Sequence, residues 1–327
     1  MDPQMSLFMH LRRTDVCPSP AFSELYDRPR LEKFGRLRRS PCGLAVSAAT
    51  LGVMSEFHVA SRMQRHDLHK LHGLGNDFLL WFQPAVPEGA SELAQRWCNR
   101  TTGIGADGLI VAIDDRVAPQ FVLFNSDGGR AEISGNGLRC FVHALAARRG
   151  VDELETLVST DVGDRSAHIR GALSETSLVS VGMGAPNPGP SLDGLDLTVH
   201  VDYRRADTVD LGNPHLVIEV EDPSAYDMSV VGPAIEAHFM PAGINVHLVS
   251  ATESGVRMAI WERGVGVTEA CGSGACAAAA IASLSRPDQG VFEIVMPGGA
   301  VSVKVADELT LIGPSSYVAA VEPMSWA

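Results

Sequence analysis

From residue 78 onward the chain alternates between short apolar, β-prone stretches and polar breaks. These stretches are Phe78 to Phe82, Leu109 to Ile113, Phe121 to Phe124, Ser177 to Val181, His215 to Val220, Asn245 to Val249 and Phe292 to Met296. Runs of this length and composition, bounded by Gly, Asn, Asp or Pro, predict strands. Two segments depart from that rhythm. After Ser134-Gly135-Asn136-Gly137, apolar Leu138, Phe141, Val142 and Leu145 recur at helical spacing and predict a helix to Arg149. After Cys271-Gly272-Ser273-Gly274 the chain is almost pure alanine from Ala275 to Leu284. A helix so small on every side suits burial inside a curled sheet, where larger side chains would not fit.

The two helix starts belong to an internal repeat. Leu74-Gly75-Asn76 matches Leu211-Gly212-Asn213, and Ala131 to Gly137 matches Thr268 to Gly274, both at an offset of 137 residues. A shared offset between separate blocks is the signature of a duplicated unit. The expected fold is α+β, with two pseudosymmetric domains, each a curled, mainly antiparallel sheet wrapped around a central helix. The halves are expected at 66–178 and 179–315, with 316–327 as a tail or returning strand. Residues 1–65 are Arg-rich, contain scattered Pro and show no sustained periodicity. They read as a disordered extension or a translated upstream stretch, with the functional start at Met54 or Met63; their acidic residues count against a transit peptide.

Composition narrows the function classes. The 327 residues are 45% hydrophobic and 20% charged, as in a globular protein, and the net charge of −13 disfavours nucleic acid or an anionic membrane as partner. No apolar run is long enough to predict a membrane span. The cysteines at 17, 42, 98, 140, 271 and 276 lack the paired spacing of a zinc or disulfide framework, so no metal is expected and a cytoplasmic setting fits. Gly103-Ile104-Gly105-Ala106-Asp107-Gly108 fits a dinucleotide fingerprint only formally, because it leads into a strand rather than a helix.

The chemistry concentrates at the repeated helix starts. Each carries a small polar side chain, Ser134 or Cys271, followed by Gly-x-Gly. Such glycines admit close backbone approach, and a helix N-terminus attracts anions through its free N–H groups. A carboxylate held between two such ends would be stabilised as negative charge develops on the neighbouring carbon. A thiol at a helix N-terminus is expected to have a depressed pKa and to act as a base. A lone cysteine is more often a small buried hydrophobe, and Cys98, Cys140 and Cys276 take that reading. One proton-transfer group per half would allow removal of a proton from one face of a planar intermediate and delivery to the other.

His72 to Phe78, Arg100 to Leu109, Phe124 to Gly128, Ser134 to Cys140, Gly212 to His215 and Glu262 to Gly274 together resemble the signatures of the diaminopimelate epimerase family, in the family's order. The resemblance covers about residues 66–315. It implies a pyridoxal-phosphate-independent isomerase without cofactor that interconverts LL- and meso-diaminopimelate in lysine and peptidoglycan precursor biosynthesis, often as a homodimer. It implies that Cys271 and the residue at Ser134 are the acid/base pair, assisted by His215 and Glu262. Asn76, Asn125, Asn213, Asn245, Glu262 and Arg263 match substrate-binding positions, and Gly135, Asn136, Gly272 and Ser273 the carboxylate-binding helix ends.

This sequence departs from the family at Ser134, where the resemblance implies a cysteine. A serine hydroxyl is not an ordinary titrating group, and removing an α-proton with it would call for a partner base, for which His215 is the candidate. Gly108 stands where some relatives carry an amide that contacts substrate. Besides epimerisation, three readings remain open at this point: a related amino-acid racemase such as a proline-racemase-like enzyme, a one-base elimination or exchange, and a non-catalytic amino-acid-binding homologue.

Overall fold

The computed structural model describes residues 59–322. The expectation of disorder for the N-terminal extension therefore lies outside the described residues as far as residue 58. Its last seven residues, 59–65, depart from the expectation: they are helical, and Val59 and Met63 are buried in the main core. The Arg148 guanidinium donates to the carbonyls of Met63 and His66 at 3.2 and 3.0 Å, tying this segment to the first central helix. Their burial depends on partners far along the chain, which local periodicity does not register.

The first half contains β1 (Leu68–Gly73), β2 (Asn76–Phe82), β3 (Gly108–Ile113), β4 (Gln120–Asn125), β5 (Arg130–Ala131), β6 (Glu153–Thr160), β7 (Gly163–Arg170) and β8 (Thr176–Gly184). After the short β9 (Asn187–Pro188), the second half contains β10 (Arg205–Asp210), β11 (Pro214–Glu219), β12 (Asn245–Ala251), β13 (Gly255–Glu262), β14 (Gly266–Val267), β15 (Val291–Met296), β16 (Gly299–Lys304) and β17 (Leu309–Val321). The helices are α1 (Ala90–Cys98), α2 (Gly135–Arg149), α3 (Met228–Glu236) and α4 (Gly272–Ser283).

The duplication is kept in hydrogen-bond register. In the first half β2 pairs antiparallel with β1 and parallel with β3, placing Phe78 opposite Gly108; β4 then pairs antiparallel with β3, placing Asn125 opposite Gly108. In the second half β11, β10, β12 and β13 repeat these pairings, with His215 opposite Asn245. Parallel β4–β6 is likewise repeated as β13–β15. Positions related by 137 in sequence are thus equivalent in space.

The sheet of each half curls around one helix. α2 is buried from Gly135 to Ala147 and packs on β1, β2, β8 and β17, while α4 is buried from Gly272 to Ala280 and packs on β11, β12, β13 and β17. The alanines of α4 present almost no side-chain bulk, which lets the surrounding strands close on it from several sides. α2 ends at Gly150, whose φ of 70° lets its N–H return to the carbonyls of Ala146 and Ala147. The halves are stitched together by β17, which pairs with β16, with β8 and with β1, where Leu68 lies opposite Val321. The expected boundaries at 178/179 and 315/316 both fall inside strands, β8 and β17. No helix of the described residues is long and apolar enough to cross a membrane.

Two predictions follow from this packing. Met63→Ala should destabilise the fold by about 2–5 kcal/mol, as for other fully buried large-to-small changes, read from the denaturant midpoint. The buried side chains His69 and His143 have pKa values lowered to about 4, and His247 to about 3, by burial. These rings are neutral in the fold but take up protons near their ordinary pKa of about 6.5 when unfolded. Stability should therefore fall as pH drops below about 6.5, and go on falling to about pH 4 and below. Urea midpoints measured across that range test the sign.

Candidate active site

Ser134 and Cys271 are the N-cap residues of α2 and α4. Both backbones are extended (φ −136° and −125°), and both side chains accept from the N–H three residues on. Ser134 Oγ lies 3.1 Å from Gly137 N and Cys271 Sγ 3.3 Å from Gly274 N. The first-turn N–H groups of each helix have no intrahelical acceptor, so both helices point free donors at the same space.

The two helix ends touch through Gly135 and Gly272. A methyl group on Gly272 would sit 3.0 Å from Gly135 Cα and 3.1 Å from Asn136 N, and one on Gly135 would sit 3.3 Å from Gly272 Cα. These are backbone atoms, which cannot swing aside. A side chain at either position would force the facing backbone to give way, and glycine avoids this.

In front of the paired ends lies a cleft of about 330 Å³ lined by Asn76, Asn125, Ser134, Gly135, Asn136, Asn213, Asn245, Glu262, Arg263, Cys271, Gly272 and Ser273. Every site residue singled out from sequence is therefore brought to one cavity except His215. That residue is buried behind the wall, its Nδ1 2.9 Å from His247 Nε2 and its Nε2 3.0 Å from Asn213 Oδ1. Ser134 Oγ makes no hydrogen bond to His215, so the Ser134–His215 pair expected from sequence is not formed. The His215–His247 pair lies beside Cys271 instead.

Sequence reasoning passed over several residues. Asp107 accepts from Asn76 Nδ2 at 2.7 Å and from Asp77 N at 3.0 Å, and is itself bridged by Arg100 at 2.7 Å. Asn136 carries the chain inward, donating to Asn76 Oδ1 and to the Ala270 carbonyl, both at 3.0 Å. Behind it Arg139 is fully buried, donating to Asn136 Oδ1 at 3.0 Å and to the carbonyls of Pro314 and Gly135. Burial lowers the Arg139 pKa to about 10, so the guanidinium stays charged near neutral pH, and among the described residues it makes no ion pair. Asp107 and Arg139 both stand in signature blocks of the sequence, but nothing local distinguishes them there from structural polar residues. Gly108 leaves no room for a side chain, since a methyl group would lie 2.9 Å from the Phe124 carbonyl oxygen.

The electrostatics of Cys271 reverse the expectation. Its pKa is pushed well above the ordinary thiol value, first by burial and then by the neighbouring Glu262 carboxylate; the Gly274 N–H works in the opposite sense. Burial also raises Glu262, against a hydrogen bond from Thr268. Loss of water around the thiol outweighs the helix end.

The repeat exposes how the halves have diverged. At equivalent positions the second half carries Cys271, Glu262, His215 and His247, and the first half Ser134, Asn125, Phe78 and Ile110. Four proton-handling groups in one half face four non-titrating ones in the other.

The family model for diaminopimelate epimerase matches residues 68–188 and 208–318. This chain belongs to the diaminopimelate epimerase family. It is 34% identical over 271 residues to the diaminopimelate epimerase of Desulfitobacterium hafniense, covering 77% of this chain and 96% of that protein. It is 36% identical to that of Corynebacterium glutamicum, covering 76% and 95%. Among solved structures, a protein described as a predicted epimerase from Pseudomonas aeruginosa superimposes with a TM-score of 0.61 at 14% identity, covering 80% of this chain and all of that one. A hydroxyproline epimerase from Agrobacterium vitis superimposes with a TM-score of 0.56 at 16% identity, covering 77% and 88%. These structural likenesses bear on the fold: two repeated halves with a mixed, barrel-like sheet in each.

Gly272→Ala should separate the helix ends, lowering turnover at least about tenfold as the donors move off line. A matched loss in the variant Val117→Ala, at an exposed position between β3 and β4, would show that the effect is not specific to the contact.

Proposed function

We propose that the protein interconverts LL- and meso-diaminopimelate, moving the α-proton between opposite faces of the substrate without a cofactor. The observation that carries this reading is the meeting of two capped helix N-termini, with Ser134 and Cys271 at equivalent positions around one cleft. The α-carboxylate fits between the free N–H groups of Gly135, Asn136, Gly272 and Ser273. There it places the α-carbon between the two caps, and the same donors stabilise the charge that grows when its proton leaves. The polar far wall of Asn76, Asn125, Asn213, Asn245 and Arg263 suits the amino and carboxylate groups at the distal end. A cleft of about 330 Å³ is in the size range for such a small, doubly charged molecule.

Cys271 takes the role of base, with Glu262 as the group that exchanges its proton. Both are shifted upward by burial, so the thiol keeps its proton until substrate binds, and the incoming ammonium and helix donors then favour the thiolate. On the other face Ser134 keeps its own hydrogen free, because its oxygen is the acceptor in the cap. It delivers that proton to the carbanion; water reprotonates the resulting alkoxide, and the hydroxide left behind takes the proton that Glu262 drew from Cys271. His215 acts from behind Cys271, holding Asn213 and the wall in place. The cytoplasm as location, a homodimer as assembly and a place in lysine and peptidoglycan precursor synthesis complete the reading, supported by the family membership.

The asymmetry between the halves favours one second reading, in which proton exchange occurs on the Cys271 face alone. Incubation with LL-diaminopimelate in deuterium oxide separates the two. Deuterium incorporation with formation of the meso isomer is the expected result. Incorporation without inversion establishes the one-sided reaction, and no incorporation overturns both. Ser134→Cys should raise inversion relative to exchange, and Cys271→Ala should lower both by about 10²–10⁴, the usual contribution of a positioned acid or base. Glu262→Gln removes the carboxylate that holds the thiol proton, so the pH at which iodoacetamide alkylates Cys271 should fall. A rise in that pH would show that the carboxylate does not control the thiol.

A further inference from the structure

Behind the cleft wall, three side chains with metal-ligating atoms converge: Cys271, His215 and His247. All three are buried, and one ligand atom from each lies within 4.8 Å of the others. We propose that they form a binding site for a borderline-soft divalent cation of the zinc class, and that an ion there ties up the Cys271 thiol.

The arrangement has the parts such a site needs. His215 Nε2 lies 3.0 Å from Asn213 Oδ1, an acceptor that fixes the ring proton on Nε2 and leaves the Nδ1 lone pair facing His247. A carbonyl-type partner on the far nitrogen is the usual outer support of a ligating histidine. His247 Nε2 stands 2.9 Å from that lone pair, while its Nδ1 is buried with no hydrogen-bond partner. This is an unsatisfied polar atom on a fully buried ring, which a structural role does not account for. Packing does not demand the imidazole either, because the equivalent position of the first half is Ile110. The His247 ring and the thiol also crowd the same spot near Gly274, where a methyl group would lie 2.6 Å from His247 Nε2 and 3.1 Å from Cys271 Sγ.

Zinc–nitrogen bonds of about 2.0–2.1 Å and zinc–sulfur bonds of about 2.3 Å place tetrahedral ligand atoms roughly 3.3–3.6 Å apart. The two histidine nitrogens stand 2.9 Å apart and no pair of the three ligand atoms is more than 4.8 Å apart, so the set is compact enough to close on one ion. Cys271 lines the cleft, which leaves the fourth position to water or to a substrate carboxylate. In proton terms, the ion replaces the thiol hydrogen, which leaves as one proton per site. The His247 ring hydrogen moves from Nε2 to the vacant Nδ1, with no net change on that ring. The first half has Ser134, Phe78 and Ile110 in the corresponding places, so one ion per chain is expected. The ion would block turnover reversibly while leaving the fold intact.

The test is a titration of the reduced, chelator-treated full chain with cobalt(II), followed optically without any activity assay. The expected result is a thiolate-to-cobalt charge-transfer band that saturates at one ion per chain and is displaced by zinc. Cys271→Ala should abolish the band. His247→Ile and His247→Gln, each checked for folding by circular dichroism, should weaken cobalt binding at least tenfold. Absence of the band in the wild type would overturn the proposal, as would a band of unchanged affinity in a folded His247 variant. A band that survives Cys271→Ala would assign the ion to another cysteine and overturn it too. Epimerase activity in the metal-free protein is read separately, so failure of the metal site and failure of the proposed function are distinguishable.

Discussion

The close approach of two helix N-termini, glycine against glycine, is the constraint on which the rest depends. Gly135 and Gly272 allow α2 and α4 to meet backbone to backbone, and any side chain there would push them apart. Like ends of two helix dipoles do not attract, so the arrangement must be held from outside. The sheets do this. Each curls around its own helix, and β17 runs through both, pairing with strands of the first and second halves along its 13 residues. The result is a concentrated field of unsatisfied N–H donors at one point, which an anion resolves.

Behind that point the wall is built from polar groups that hold each other. Arg100, Asp107, Asn76, Asn136 and Arg139 form a continuous run of hydrogen bonds from the surface to the buried base of α2. Each member leaves its neighbour fewer orientations, so the amides facing the cleft are fixed before any ligand arrives. Arg139 adds a buried positive charge to the same side as the helix ends. A buried charge without a partner is costly, and a bound carboxylate nearby reduces that cost.

Duplication supplied the geometry and divergence supplied the chemistry. Register equivalence puts Ser134 where Cys271 stands in the other half, and Phe78 and Ile110 where His215 and His247 stand. The apolar pair packs into the core of its own sheet, while the histidine pair fills the same volume with polar atoms. Burial then dominates their behaviour: both rings are neutral, and the thiol and carboxyl beside them are reluctant to ionise. Burial thus disfavours the charged forms of Cys271 and Glu262, and a charged substrate that displaces water from the cleft changes that balance.

The sequence alone determined the repeat, the strands with clear apolar runs, both central helices and the family, because these are written in local periodicity and ordered blocks. The polar, half-exposed β6 and β7 escaped that reading since their pattern comes from neighbours rather than from their own apolar content. So did the burial of residues 59–65. The sequence also named half of the residues that line the cleft, including both helix caps and Asn76, Asn125, Asn213 and Asn245. Only the tertiary structure decided which groups pair. It left His215 bonded to His247 and not to Ser134, put Asp107 in the cleft wall and set Arg139 behind Asn136. It also reversed the expected sign of the Cys271 shift. A helix end is visible in sequence, but loss of solvent around a thiol is not, because burial is set by the strands that close on α4 and by the facing end of α2.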